Sequence, residues 1–149
     1  EDAFFKIAEV DIGIAADVGT LQRLPSLIPL AVLRELAYTG RKCDSKEAKS
    51  LGLVNEVYTS VEDMMAGVQN LAKTIASKSP LVTRVIKKQI NYARDNSVRD
   101  SLEYHAMWNA SLISHKDTET ALTAFMNKSE GEFDDLEELK SFWEKEGLI

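Results

Sequence analysis

The chain has 149 residues, 44% hydrophobic and 28% charged, with a net charge of −6; this suffices for a packed core, and the acidic balance excludes a protein built mainly to coat nucleic acid. No stretch approaches the roughly 18 apolar residues of a membrane span, because Asp11, Asp17, Arg23 and Arg34 break the most apolar windows. Cys43 is the one cysteine, which excludes an internal disulfide; it has no Cys or His neighbours at metal-ligand spacing, and a reducing compartment is the default.

Glu1-Asp2-Ala3-Phe4-Phe5 leads into strand-like sequence without an initiator Met, as in a piece of a longer chain, so no targeting signal is to be read at this end. Phe4, Phe5 and Ile7 predict a short strand over about 3–7. An irregular, largely apolar segment follows to Gly19, with Gly13, Ala15 and Ala16 allowing the backbone to turn or approach a ligand. Thr20 is placed to cap a helix through Leu21 and Leu24, which Pro25 limits or breaks. Pro29 suits a first helical turn, and Leu30, Leu33, Leu36 and Ala37 keep helical spacing until Gly40 ends the run.

Ser45 is expected to cap a short helix ending before Gly52, and Leu53-Val54-Asn55-Glu56-Val57-Tyr58 alternates like a strand. Thr59 or Ser60 opens a long helix whose apolar face is Val61, Met64, Met65, Val68, Leu71, Ala72 and Ile75. Ser79-Pro80 starts another, with Val82, Val85, Ile86, Ile90 and Ala93 on one side. Ser97-Val98-Arg99-Asp100 resembles a capping box for a third, carrying Val98, Leu102, His105, Leu112 and Ile113. A shorter helix near 117–127 presents Ala121, Leu122 and Phe125. Beyond Gly131 an acidic tail predicts a last amphipathic helix on Leu136, Leu139 and Trp143.

Three blocks carry a specific pattern. Phe4 to Leu24 reads FFKIAEVDIGIAADVGTLQRL; Tyr38 to Val54 reads YTGRKCDSKEAKSLGLV; and Ala124-Phe125-Met126-Asn127-Lys128 closes the set. In order and spacing they resemble the C-terminal half of the crotonase superfamily, the enoyl-CoA hydratase/isomerase family. The resemblance covers roughly residues 1–130. Ala-Ala-Asp17-Val-Gly-Thr-Leu-Gln-Arg-Leu is similar to the dienoyl-CoA isomerase branch, where most hydratases have Gly in place of Asp17.

The resemblance implies an α/β, crotonase-like (ClpP/crotonase spiral) fold. Residues 1–28 would end the spiral core and carry the active-site segment, 29–130 would form a helical trimerisation region, and 131–149 an acidic helix or extension. The implied reaction converts 3,5-dienoyl-CoA to 2,4-dienoyl-CoA in unsaturated fatty-acid breakdown. Two carboxylates separated along the acyl chain can remove a proton near the thioester and deliver one at the far end. By resemblance Glu9 acts at C2 and Asp17 at C6, while backbone N–H groups hold the dienolate oxygen. Coenzyme A is part of the substrate and no cofactor is implied. Phe125 and Lys128 match positions near the subunit contact where a lysine reaches the CoA nucleotide, so a homotrimer or dimer of trimers is expected. The compartment implied is the mitochondrial or peroxisomal matrix, although Gly147-Leu148-Ile149 is not a Ser-Lys-Leu signal.

Competing readings stay open at this level. Glu9 and Asp17 are eight positions apart, a distance of about 26 Å if extended, so the chain must fold back to bring both to one ligand. Both are flanked by apolar residues that would desolvate them. Asp17 equally suits a cap for the helix near Thr20, and Asp11 competes with Glu9. Lys128 reads otherwise as a surface lysine, and Arg84, Lys87, Lys88 and Arg94 as a solvated helix face. His105 reads as a packed histidine, His115 as a helix-end cap, Cys43 as incidental, and Trp108 and Trp143 as packing residues. The rival functions are enoyl-CoA hydration through Glu9 alone, and a non-catalytic acyl-CoA-binding or oligomerisation module. Because the family's oxyanion-hole loops belong to the other half of the fold, these 149 residues alone are expected to be inactive.

Overall fold

The computed structural model describes residues 2–113 and 115–136. It divides into two compact units, Glu1–Val68 and Gln69–Ile149.

The first unit opens with strand β1 (Phe4–Phe5) and a 3-10 turn at Glu9–Ile12. Helix α1 (Thr20–Arg23) runs into a second 3-10 turn at Leu24–Ser26 that accommodates Pro25. Helix α2 (Leu30–Thr39), strand β2 (Cys43–Asp44) and helix α3 (Ser45–Ser50) follow, and helix α4 (Val61–Ala76) begins. The strands pair antiparallel, Phe4 opposite Asp44 and Phe5 opposite Cys43. So small a sheet gains little from its own ladder and rests on the core it covers. That core is Ile7, Ala16, Ile28, Leu33, Leu36, Cys43 and Ala48. Burial of Leu33 and Leu36, three apart on one face of α2, is worth about 2 kcal/mol each.

Several expectations need correction here. The strand over 3–7 is confined to Phe4–Phe5. Asp44, not Ser45, caps α3: its carboxylate accepts the Glu47 N–H at 2.8 Å, and Ser45 is the first helical residue. Pro29 is likewise the cap residue of α2 rather than a member of its first turn. Residues 53–58 form no strand, because the N–H groups of Leu53 and Val54 both turn back to the Ala48 carbonyl, at 2.9 and 3.4 Å. A backbone committed to closing α3 has no ladder to join, and Leu53 and Val54 pack on the core from a loop instead.

Helix α4 forms where its periodicity placed it, with Ser60 accepting the Asp63 N–H at 3.0 Å. Its apolar face is uncovered: Val61, Met64, Met65, Val68, Leu71 and Ile75 are all exposed.

In the second unit α5 (Pro80–Asp95), α6 (Val98–Ile113) and α7 (Lys116–Asn127) follow one another through short links. Tyr92 stacks on Tyr104 with centroids 4.2 Å apart, and Tyr104 meets the edge of Trp108 at 6.2 Å, which joins α5 to α6 through aromatic area. Arg84, Lys87, Lys88 and Arg94 lie on an exposed face; the Lys88 ammonium sits over Trp108. His105 is exposed rather than packed, bridging Gln89 and Asn109 at 2.8 Å each. His115 is a cap, at the N-terminus of α7, where its Nδ1 accepts the Asp117 N–H. On α7 the buried apolar residue is Ala124, not Ala121, Leu122 or Phe125. Residues 130–136 are irregular; Leu139 and Trp143 lie outside the described residues.

Ser79 does two jobs. Its hydroxyl accepts the Val82 N–H at 3.1 Å, capping α5, and donates to Asp117 of α7; both side chains are buried. A serine, an aspartate and a histidine thus meet, but the carboxylate sits between the other two, with His115 Nδ1 at 3.3 Å from Asp117. A serine bonded to the acid rather than to the imidazole has no base to activate it, and the group is a staple. Ser79→Ala is expected to destabilise the chain by about 2 kcal/mol or more, since it removes a cap and a buried donor together, whereas Ser60→Ala at an exposed cap costs about 1 kcal/mol or less. Urea unfolding of both variants checks this; equal losses would refute the staple.

Candidate active site

The segment from Glu9 to Gly19 bends sharply. Glu9 opens the 3-10 turn, and Gly13 closes it at φ 76, donating to the Val10 carbonyl at 3.2 Å while the Ile14 N–H returns to Glu9 at 3.2 Å. A side chain at position 13 would strain that left-handed backbone. The chain shortens here, since a 3-10 turn rises about 2.0 Å per residue against about 3.3 Å for extended chain.

The three carboxylates of this segment differ in environment. Asp11 is paired with Lys6 at 2.7 Å. Glu9 is half-buried. Asp17 is exposed and follows the buried Ala16, so it is not enclosed among apolar side chains as its flanking sequence suggested. Nor does Asp17 cap the next helix. Gly19, at φ 94, occupies the cap position of α1, no side chain caps it, and Thr20 is its first residue.

Beside this segment the first unit holds a largely apolar cavity of about 390 Å³, within the size range of small-molecule sites. Its walls include Phe5, Ile7, Val18, Gly19, Arg23 and Cys43. Glu9 and Asp17 are not wall residues, but Val18 and Gly19 directly follow Asp17.

Sequence reading missed Arg41, another wall residue. Its guanidinium binds Glu47 through two nitrogens at 2.7 and 2.8 Å, Glu35 at 2.7 Å and the Lys42 carbonyl at 3.1 Å. These partners raise the already high Arg41 pKa, and Arg41 holds the Glu47 carboxyl below the ordinary glutamate range. Burial, then the charge of Glu47, push the Cys43 thiol up, which disfavours the reactive thiolate. Only the spacing Glu35-x5-Arg41-x5-Glu47 could have revealed this group, and it fits no helical period.

Phe125 and Lys128 lie in the second unit. Phe125 is 79% exposed. Lys128 ends α7 at φ 53, with its N–H reaching the Ala124 and Phe125 carbonyls; a lysine here bears left-handed strain that glycine would avoid. Among the described residues no group of three or more His, Cys, Asp and Glu gathers as metal ligands, and no helix is long and apolar enough to cross a membrane.

The sequence profile of enoyl-CoA hydratase/isomerase matches residues 1–136. The chain belongs to the enoyl-CoA hydratase/isomerase family. It is 44% identical over 133 residues to the peroxisomal Delta(3,5)-Delta(2,4)-dienoyl-CoA isomerase of Arabidopsis thaliana, covering 89% of this chain and 48% of that protein. To the mitochondrial enzyme of that name from Homo sapiens it is 44% identical over 131 residues, covering 87% and 40%. Among solved structures, an enoyl-CoA hydratase from Bacillus anthracis superposes with a TM-score of 0.83 at 30% identity, covering 88% of this chain and 50% of that one. The fold is accordingly crotonase-like, represented by its helical portion with a small two-stranded sheet. The chain spans about half the length of the family members it matches.

The Arg41 clamp in this family member makes a pH prediction. A carboxyl whose folded pKa is depressed contributes stability above its unfolded value, about 4.3, and loses it as pH falls through the folded value. Glu47→Gln is therefore expected to flatten the acid limb of the stability curve. Thermal unfolding of both proteins from about pH 7 to 3 measures this; parallel curves would contradict it.

Proposed function

We propose that this chain supplies the proton-transfer carboxylates of an enzyme that isomerises 3,5-dienoyl-CoA to 2,4-dienoyl-CoA in the β-oxidation of unsaturated fatty acids. One observation carries the reading: Asp17, the residue that distinguishes the isomerase-like motif, is exposed, directly precedes the cavity residues Val18 and Gly19, and is not spent on capping α1. The 44% identity to proteins named dienoyl-CoA isomerases supports it.

Glu9 removes a proton at C2, the electrons move along the conjugated system onto the thioester oxygen, and Asp17 delivers a proton at C6 as the dienolate collapses. Backbone N–H donors stabilise the dienolate oxygen. These donors belong to the part of the relatives' length that the 149 residues do not span. Coenzyme A enters with the substrate, Lys128 and Phe125 meet its nucleotide end at a subunit contact, and the exposed apolar faces are covered in a homotrimer or a dimer of trimers. The names of the relatives support a mitochondrial or a peroxisomal location. Hydration of an enoyl-CoA by water activated on Glu9 is the second reading, favoured by the structural likeness to enoyl-CoA hydratases.

Alone, these residues are expected to isomerise a 3,5-dienoyl-CoA at least roughly 10²-fold more slowly than the full-length Arabidopsis relative; comparable turnover would refute that. In a chimaera completed with the remaining part of that relative, Glu9→Gln and Asp17→Asn are each expected to lower isomerisation by roughly 10²–10⁴-fold. Spectrophotometric assay of both reactions separates the readings. Asp17→Asn with undiminished isomerisation removes the C6 role; Glu9→Gln with undiminished activity removes the whole proposal.

A further inference from the structure

Two glycines end helices of the first unit in the left-handed conformation, Gly40 after α2 at φ 59 and Gly52 after α3 at φ 77. Their surroundings differ completely. A Cβ on Gly52 would meet nothing within 4 Å, whereas one on Gly40 would stand 2.9 Å from Asp11 Oδ1 and 3.0 Å from Val10 Cγ1. Val10 and Asp11 are the middle of the 3-10 turn that Glu9 opens. A methyl group at position 40 would force these side chains, or the turn that carries them, to move. The Asp11 carboxylate is held by Lys6 at 2.7 Å, and the branched Val10 side chain has few rotamers to move into.

From this contact we infer that Gly40 is a positioning residue for Glu9: its missing side chain is the seat on which the Glu9–Ile12 turn rests, and Lys6 pins that turn from the β1 side through Asp11. The catalytic meaning rests on the role proposed for Glu9, whereas the seat itself does not. The left-handed backbone alone asks for glycine at both positions; only at Gly40 does a second requirement, close approach of the turn, come on top. Displacing the turn by a few tenths of an ångström would move the carboxylate relative to the bound acyl chain while leaving the acyl-CoA contacts elsewhere intact.

Gly52→Ala supplies the control, since it carries the same backbone strain with open space around the new methyl group. In the 149-residue chain, hydrogen exchange of the Ile14 amide, which donates to the Glu9 carbonyl, is expected to accelerate roughly tenfold more in Gly40→Ala than in Gly52→Ala after correction for global stability. Asp11→Ala removes the nearest clashing atom, so Gly40→Ala and Asp11→Ala are expected to be non-additive. Where Gly40→Ala does not fold, Gly40→Asn places a Cβ at the same spot in a residue more tolerant of this backbone. In the completed chimaera, substitution at Gly40 should lower kcat roughly tenfold with KM within about twofold. Equal behaviour of the Gly40 and Gly52 variants, or strict additivity with Asp11→Ala, overturns the seat. Retained activity in Glu9→Gln with the exchange difference intact would instead overturn the proposed function and leave the seat standing.

Discussion

One guanidinium ties the first unit together. Arg41 leaves the end of α2, takes Glu35 of that helix on one side and grips Glu47 of α3 with two nitrogens on the other. A planar fork on a carboxylate fixes orientation as well as distance, which lysine cannot do. The five residues between Arg41 and Glu47 are thereby held on a short path. Along it Cys43 enters the core, Asp44 caps α3, and the pair of them meets Phe4 and Phe5. A sheet this small would not persist on its own hydrogen bonds; the clamp and the buried residues behind it keep β2 where β1 can pair. Gly40, immediately before Arg41, is in turn held against the turn that presents Glu9. Helix end, strand pair and candidate site share one short piece of chain.

The helices were legible because their signals are local. Ser79-Pro80 and Ser97 before Asp100 announced α5 and α6, and 3.6-residue spacing placed α4 and α7. What the helices bury was not legible. The stripe of α4 is exposed along its length, and α7 buries the small Ala124 while Phe125 points outward; a hydrophobic stripe states a need for cover without saying what meets it. Residues 53–58 show the converse failure. Their alternation is that of a strand, but the two N–H groups that close α3 had already claimed the backbone, and such closure depends on Gly52 turning left-handed rather than on side-chain period.

In the candidate site, the motif singled out Glu9 and Asp17, and Gly13 showed that a bend between them was available. Arg41, the approach of Gly40 to Val10 and Asp11, and the Lys6–Asp11 pair were invisible in the sequence. They are contacts between residues five to thirty positions apart that share no helical or strand period. Their common effect is to hold backbone, not to supply chemistry. That is why a motif built on chemical residues passes over them.

The three carboxylates of the segment are differently engaged. Asp11 faces the cation of Lys6, and its place against Gly40 makes it a spacer in the turn. Glu9 heads that turn, half-buried, with its carbonyl bonded to Ile14, so its backbone is fixed from within the turn and from α2 behind it. Asp17 sits beyond the turn on irregular chain, exposed, with a glycine doing the capping it was placed to do. An exposed carboxylate with no helix to cap adds little to stability. Hydration of an enoyl-CoA needs one activated water and would leave that residue without a task. Shifting two double bonds, as proposed, needs a proton delivered several carbons from where the first was taken, and a second carboxylate past the bend is available for that task.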